Sequence, residues 1–190
     1  RTPESYYHVY ARGNNKQVIF IDNSDYDYFL NLLERYFSDE LIIGKSGILY
    51  PNFINRVEII AYCLMPNHFH LLLYQFGVMD MEMFMRSLMT SYSKYFNLKY
   101  KRTGYVFEGR YKAAIINSDE YLLHISRYIH QNPDMWETYM YSSFRYYRDN
   151  NGPEWLKDNK VLELFDSRKS YVDFVADYKE IRDDLKVIKR

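Results

Sequence analysis

Two apolar runs, Val57 to Cys63 and His68 to Tyr74, are separated by little more than Pro66-Asn67. Their length, their β-branched and aromatic content and the Pro-Asn break predict a β-hairpin with a short turn. This pair constrains the fold more than any other stretch. The longest uncharged apolar segment, Ala61 to Phe76, is interrupted by Pro66, Asn67, His68 and His70, well short of the roughly 20 apolar residues a bilayer span needs. No membrane partner is expected. At 190 residues, 47% hydrophobic and 26% charged, the chain has enough apolar material for one compact domain with a terminal extension. The single cysteine, Cys63, excludes an internal disulfide and a multi-cysteine zinc site, which fits a reducing cytoplasm. The chain opens at Arg1 without an initiator Met or apolar leader, which reads as a trimmed sequence with no visible targeting segment.

The remaining elements follow from periodicity and punctuation. Tyr6 to Arg12 reads as a strand running into a turn at Gly13-Asn14-Asn15. Ser24 or Asp25 is the expected cap of a helix through Phe37, and Met79 to about Tyr100 forms a long second helix. Asn117, with Glu120 three residues on, opens a third that stops near Asn132 because Pro133 follows. Beyond it short helices are expected at Tyr139 to Tyr147, Trp155 to Phe165 and Ser170 to about Arg182, with Asn150-Asn151-Gly152-Pro153 as a linker. The sum is an α+β chain with a mainly antiparallel sheet covered on one face.

Charge is balanced overall, 25 basic against 25 acidic residues, but not locally. Lys94, Lys99, Lys101, Arg102, Arg110 and Lys112 face only Glu108 between positions 94 and 112, an excess of five positive charges. Asp22 to Glu40 carries the opposite excess. The basic stretch is interleaved with Tyr92, Tyr95, Phe96, Tyr100, Tyr105, Phe107 and Tyr111. Ordinary solvated faces would account for both runs, yet aromatics among cations also suit single-stranded nucleic acid, where bases stack and phosphates need counter-charge.

Two patterns carry chemistry. Within Tyr62 to Leu73, His68 and His70 alternate with Phe69 on a strand, so both imidazoles leave one face about 6.6 Å apart along the chain. Such rings can converge on a cation, or they can be hydrogen-bonded core residues; in an apolar setting they need polar partners either way. A zinc-hydrolase continuation is missing, because Leu71-Leu72-Leu73 follows. On the third helix, Leu122, Ile125 and Ile129 form the core stripe, and His124, Tyr128, Gln131 and Asn132 line its flank. Tyr128 and Asn132 lie one turn apart, a hydroxyl above an amide. With 22 tyrosines in the chain, packing alone would explain any one of them.

Taken in order, these motifs resemble a known family. Tyr62-Cys63-Leu64-Met65-Pro66-Asn67-His68-Phe69-His70-Leu71-Leu72 is similar to the His-hydrophobic-His (HUH) motif of the single-tyrosine transposases. Arg127-Tyr128-Ile129 followed by Asn132-Pro133 is similar to their nucleophile helix. Tyr7-His8-Val9 with Arg12-Gly13-Asn14-Asn15, Phe107-Glu108-Gly109-Arg110-Tyr111 and Tyr141-Ser142-Ser143-Phe144 add further matches. Together they resemble the REP-associated tyrosine transposases, relatives of the transposases of the smallest insertion sequences, over about Tyr6 to Tyr178. Between Gly44 and Arg56 this chain carries extra residues.

The resemblance implies a ferredoxin-like or RRM-like antiparallel sheet with helices on one face plus a helical C-terminal extension: a catalytic domain over 1–133 and an extension over 134–190. It implies a metal-dependent enzyme that cleaves and rejoins single-stranded DNA beside hairpins through a 5′-phosphotyrosine intermediate, without a nucleotide cofactor. Tyr128 is the implied nucleophile, and His68 and His70 with Asn132 the implied ligands of Mg²⁺ or Mn²⁺, Gln131 and His124 being alternatives for the third. Tyr121 is the substitute nucleophile. Arg12, Asn14, Arg102, Arg110 and Lys112 are the residues expected to hold DNA. The competing readings are a non-catalytic single-stranded DNA- or RNA-binding module, a metal-dependent hydrolase using water, and an inactive descendant. Monomer and homodimer both remain open, with the long C-terminal region favouring the monomer.

Overall fold

The computed structural model describes residues 2–40, 42–44, 47 and 49–177. Three strands fall where patterning places them: β1 (Ser5–Arg12), β2 (Val57–Met65) and β3 (His68–Gln75). A fourth, β4 (Lys112–Ile116), is not expected from its sequence. Lys112-Ala113-Ala114-Ile115-Ile116 is short, and its alanines carry no strand preference. Pairing with β1 makes it a strand, Tyr10 facing Lys112 and Tyr6 facing Ile116. The sheet order is β2-β3-β1-β4, every pair antiparallel. With helices α1 (Asn23–Tyr36) and α2 (Asp80–Lys99), the order βαββαβ is the ferredoxin-like arrangement.

Alternation sorts the strands between two cores. Tyr7, Val9 and Ala11 of β1 and Phe69, Leu71 and Leu73 of β3 bury against Phe29, Leu32 and Leu33 of α1 and Phe84, Leu88 and Tyr92 of α2. A register shift between Ile59 and Ala61 of β2 lets Ile59 and Tyr62 both join that core. The second face is covered as well. Helix α3 (Asp119–His130) and the helices that follow it, α4 (Phe144–Asp149), α5 (Asn159–Leu162) and α6 (Arg168–Ala176), pack there. Leu72 and Ile60 of the sheet share one apolar cluster with Ile125 and Ile129 of α3, Phe144 and Tyr147 of α4, and Tyr171 and Val175 of α6.

The C-terminal region also finishes the β2 edge. Leu64 N–H donates to the Tyr141 carbonyl at 2.9 Å, Ser143 N–H to Tyr62 at 2.9 Å, and the Tyr147 hydroxyl to Ile60 at 2.7 Å. An edge strand would otherwise expose unpaired backbone groups. The short helices begin later or run shorter than patterning suggests: α4 starts at Phe144 rather than Tyr139, and α5 spans only Asn159–Leu162. Residues 139–143 are spent on the sheet edge instead. The end expected for the last helix, about Arg182, lies outside the described residues.

Helix starts are also corrected. Asp22, not Ser24 or Asp25, is the N-cap of α1, and the Asp25 carboxylate reaches back to the N–H groups of Ile21 (2.7 Å) and Asp22 (3.2 Å). Ser118, not Asn117, caps α3, its hydroxyl accepting from Tyr121 N–H. Lys99, counted from sequence among cations open to a partner, is instead paired internally. Its ammonium lies 2.7 Å from both Asp22 and Asp25, and the Tyr100 hydroxyl donates to Asp25 at 2.7 Å. Burial alone would push the Asp25 carboxyl up, but Lys99, Tyr100 and the two N–H groups together hold it below the ordinary carboxylate range.

Removing Asp25 leaves the Ile21 and Asp22 N–H groups without their carboxylate and takes one of the two carboxylates from the half-buried Lys99 ammonium. Asp25→Ala is expected to lower stability by about 2–4 kcal/mol in denaturant unfolding. Because the folded carboxyl titrates below its unfolded value near 3.9, its contribution is complete above that pH and is lost as pH falls through the folded value. The thermal midpoint of the wild type should therefore drop more steeply below pH 4 than that of Asp25→Ala.

Candidate active site

The site is built on the register between β1 and β3. Tyr10 stands opposite His70 and Arg12 opposite His68, so the two imidazoles, His8, Tyr10 and Arg12 leave the same face of the sheet. The turn that starts β3 is braced from β1. Gly13 N–H donates to the Asn67 carbonyl at 2.8 Å, and the N–H groups of Ile19 and Phe20 both donate to the Pro66 carbonyl at 2.7 and 3.0 Å. Gly13 must be glycine here, since a Cβ would stand 2.2 Å from the Gln17 carbonyl oxygen and 2.7 Å from Ile19. Asn67 is held in turn with its side-chain oxygen 2.7 Å from His68 Nδ1.

Helix α3 lies across this face and brings Tyr128 and Asn132 to the histidines within one chain. The Tyr128 ring meets His70 and His8 edge-on, centroids 5.4 and 5.7 Å apart. Asn132 Oδ1 sits 3.1 Å from His68 Nε2. The rings of His68 and His70 are 5.0 Å apart and perpendicular. These groups, with Arg12, Glu108, Arg110 and Lys112, line a cavity of about 430 Å³. The segment after α2 closes its rim because Glu108 N–H donates to the Arg12 carbonyl at 3.0 Å.

What holds α3 in place is a buried polar network with the C-terminal helices. His130 Nδ1 is 2.7 Å from the Tyr171 hydroxyl, and its Nε2 is 2.7 Å from Ser143 Oγ, which donates to the Tyr62 carbonyl. Burial pushes His130 down to about 3, so it is neutral. Gln131 donates to the Val175 carbonyl. The Arg127 guanidinium lies over the Phe174 ring and donates to the Phe174 carbonyl at 3.2 Å and toward His124 Nδ1 at 2.8 Å. Gln131 is thus engaged by α6 and His124 by Arg127 of its own helix, and both lie outside the cavity, while Asn132 is in it.

Of the residues expected to hold DNA, Arg12, Arg110 and Lys112 surround the cavity. Arg102 does not: its guanidinium donates to Gln17 Oε1 at 2.8 Å and packs over Phe96. Asn14 is exposed beyond the rim, with its N–H on the Val106 carbonyl. Tyr121 is packed with the second core and does not line the cavity. A second groove of about 750 Å³ shares Gly109 and Arg110 with the first and runs along α2 past Lys94, Arg86 and Tyr105, the last 84% exposed.

The residue that sequence reading left without a role is His8. It is 1% exposed, its Nε2 lies 2.9 Å from His70 Nδ1, and the two rings stack at 5.1 Å. Burial pushes it down to about 4. Alternation along β1 puts His8 on the face of Tyr10, but only the register with β3 brings it to His70.

A divalent cation suits these donors. His68 and His70 each turn Nδ1 to a partner, Asn67 and His8, and His68 turns Nε2 to Asn132. Asn132 Oδ1 and His68 Nε2, 3.1 Å apart, match the spacing of about 2.9 Å between neighbouring donors on an octahedral ion with bonds near 2.1 Å. Among the described residues no three His, Cys, Asp or Glu side chains gather into a metal cluster.

Residues 52–132 match the family described as IS200-like transposases. That segment holds both histidines, Tyr128 and Asn132. The fold is similar to that of a REP-associated tyrosine transposase solved bound to a REP hairpin, with a TM-score of 0.55 and 16% identity over 80% of this chain and 84% of that one. A protein from Deinococcus radiodurans R1 described as a candidate transposase aligns at a TM-score of 0.43 and 16% identity, over 68% of this chain and 91% of that one. No curated protein matches the sequence. Among the described residues no helix is long and apolar enough to cross a membrane.

Replacing His130 by Leu removes the group that links Tyr171 and Ser143 in the network that anchors α3. The change is expected to cost about 2–4 kcal/mol, since the Tyr171 and Ser143 hydroxyls stay buried with fewer bonds. Denaturant unfolding followed by circular dichroism measures it.

Proposed function

We propose that the protein is a cytoplasmic, single-tyrosine transposase that cuts and rejoins single-stranded DNA next to hairpins, with Tyr128 as nucleophile. The observation that carries this reading is the meeting of Tyr128 with His70 and His8 on one wall of a cavity rimmed by Arg12, Arg110 and Lys112. The hairpin-bound state of the structural neighbour and the family match support the substrate class. Domain organisation follows: a catalytic unit over 1–133 and an extension over 134–190 that anchors the tyrosine helix, so that one chain completes its own site.

In the proposed reaction the Tyr128 hydroxyl attacks the phosphorus, an O–P bond forms to the tyrosine, and the P–O3′ bond breaks. The phenolic proton ends on the departing 3′ oxygen, directly or through solvent. One phosphodiester replaces another, so the step is close to isoenergetic, and a later attack by a 3′ hydroxyl reverses it. A free phenol, with a reference pKa near 10, is a poor nucleophile at neutral pH. His68, His70 and Asn132 would hold a Mg²⁺ or Mn²⁺ ion, which when bound neutralises a non-bridging phosphate oxygen and the developing charge on the leaving oxygen. Arg12, Arg110 and Lys112 hold the flanking phosphates, and Arg110 passes the strand into the groove along α2. There Lys94 and Arg86 supply charge and Tyr105 a stacking face. A binding module would have no use for a phenol packed against two buried imidazoles.

Tyr128→Phe should bind a hairpin oligonucleotide within about twofold of wild type and form no covalent adduct on a denaturing gel. An adduct surviving the change removes Tyr128 as the nucleophile. Arg110→Ala should weaken binding and reduce the slope of log affinity against log salt by about 0.7, the share of one phosphate on a single strand. An unchanged slope takes Arg110 off the phosphate track.

A further inference from the structure

His70 and His68 are supported in the same way from different directions. His68 presents Nδ1 to the Asn67 side-chain oxygen at 2.7 Å, a partner from its own turn. His70 presents Nδ1 to His8 Nε2 at 2.9 Å, a partner from the neighbouring strand. An imidazole carries its single proton on one nitrogen, and the hydrogen bond made by that nitrogen decides which one is left bare. Both His68 nitrogens face amide oxygens, Nδ1 that of Asn67 and Nε2 that of Asn132; in the tautomer with the proton on Nδ1 it donates to Asn67, the shorter contact, and turns the Nε2 lone pair toward Asn132.

His8 can act on His70 in two ways, because either nitrogen of the pair can donate. If His8 donates, His70 keeps its proton on Nε2, the atom a cation needs. If His8 accepts, His70 Nε2 is bare. His8 Nδ1 has no hydrogen-bond partner among the described residues, so no fixed acceptor or donor locks His8 into the first arrangement. Ala114, the residue facing His8 across β4, offers no polar group either. The choice is therefore left to what occupies the cavity.

We propose that His8 is a positioning residue whose Nε2 accepts a hydrogen bond from His70 Nδ1–H when a divalent cation binds, so that His70 Nε2 becomes a ligand only with His8 in place. This rests on the metal-binding reading above. Such outer partners of ligating histidines change metal affinity by about 10- to 100-fold when removed. Stacking of the two rings at 5.1 Å also fixes the plane of His70, so the effect combines proton placement with aim.

The test titrates Mn²⁺ alone into the full chain by calorimetry for wild type, His70→Ala, His8→Leu and His8→Gln. His8→Leu fills the buried space without an acceptor; His8→Gln restores an oxygen close to the position of Nε2. The expected result is Mn²⁺ binding by wild type, about 10- to 100-fold weaker binding by His8→Leu, and recovery to within about threefold in His8→Gln. In parallel, long-range ¹H–¹⁵N spectra of the wild type with saturating Mg²⁺ should show His70 protonated on Nδ1, a signature that a purely structural role for His8 would not produce. Equal Mn²⁺ affinity in wild type and His8→Leu overturns the proposal while leaving the metal site intact; a proton on His70 Nε2 with Mg²⁺ bound overturns both the proposal and His70 as a ligand. Should His8→Leu fail to fold, the wild-type spectrum and His8→Gln still decide it. No Mn²⁺ uptake by wild type, or uptake undiminished in His70→Ala, overturns the metal reading itself and this proposal with it.

Discussion

The pairing of β1 with β3 is the interaction on which the rest depends. It runs through the centre of the sheet for eight residue pairs, from Ser5 opposite Gln75 to Arg12 opposite His68. A slip of β3 by one residue would send His68 and His70 into the apolar core beneath α1 and α2 and turn Phe69 and Leu71 to the other side. Burial of those apolar residues fixes the register, and the histidine site is its consequence. The turn contacts from Gly13, Ile19 and Phe20 to Asn67 and Pro66 add a second constraint at the end of the strand where the chemistry sits.

The opposite face shows how the helix carrying Tyr128 is held by more than its apolar contact with the sheet. Helix α3 buries Leu122, Ile125 and Ile129, a modest apolar contact for a helix of twelve residues. The C-terminal region supplies the remainder through His130, Ser143 and Tyr171 on one side and Arg127 and Gln131 on the other. A buried polar network with its bonds satisfied specifies one packing more sharply than apolar contact does. That specificity matters where a phenol ring must lie within about 6 Å of two imidazoles.

The charge pattern is redistributed by folding. The acidic run from Asp22 and the basic run from Lys94 are opposite in sign and partly cancel where α1 meets the end of α2, with Lys99 bound to Asp22 and Asp25. Arg102 is likewise spent on Gln17. The cations left around the cavity, Arg12, Arg110 and Lys112, come from two distant stretches. A linear charge count overstated the field in one segment and missed the contribution of the other.

The sequence by itself determined the hairpin at Pro66-Asn67, the helices α1 and α2, the helix bearing Tyr128, and the His-x-His pair on one strand face. Each is set by short-range alternation, helical period or turn chemistry, which act over a few residues. Strand β4 was hidden because its alanines become β only when β1 offers them hydrogen bonds. The role of His8, the exclusion of Gln131 and His124 from the cavity and the closing of the β2 edge by residues 139–143 were decided by tertiary structure alone. Each depends on which partner a side chain or edge group meets, and those partners are distant in the chain, 62 residues for His8 and His70 and 44 for Gln131 and Val175, fixed in place only when both cores close.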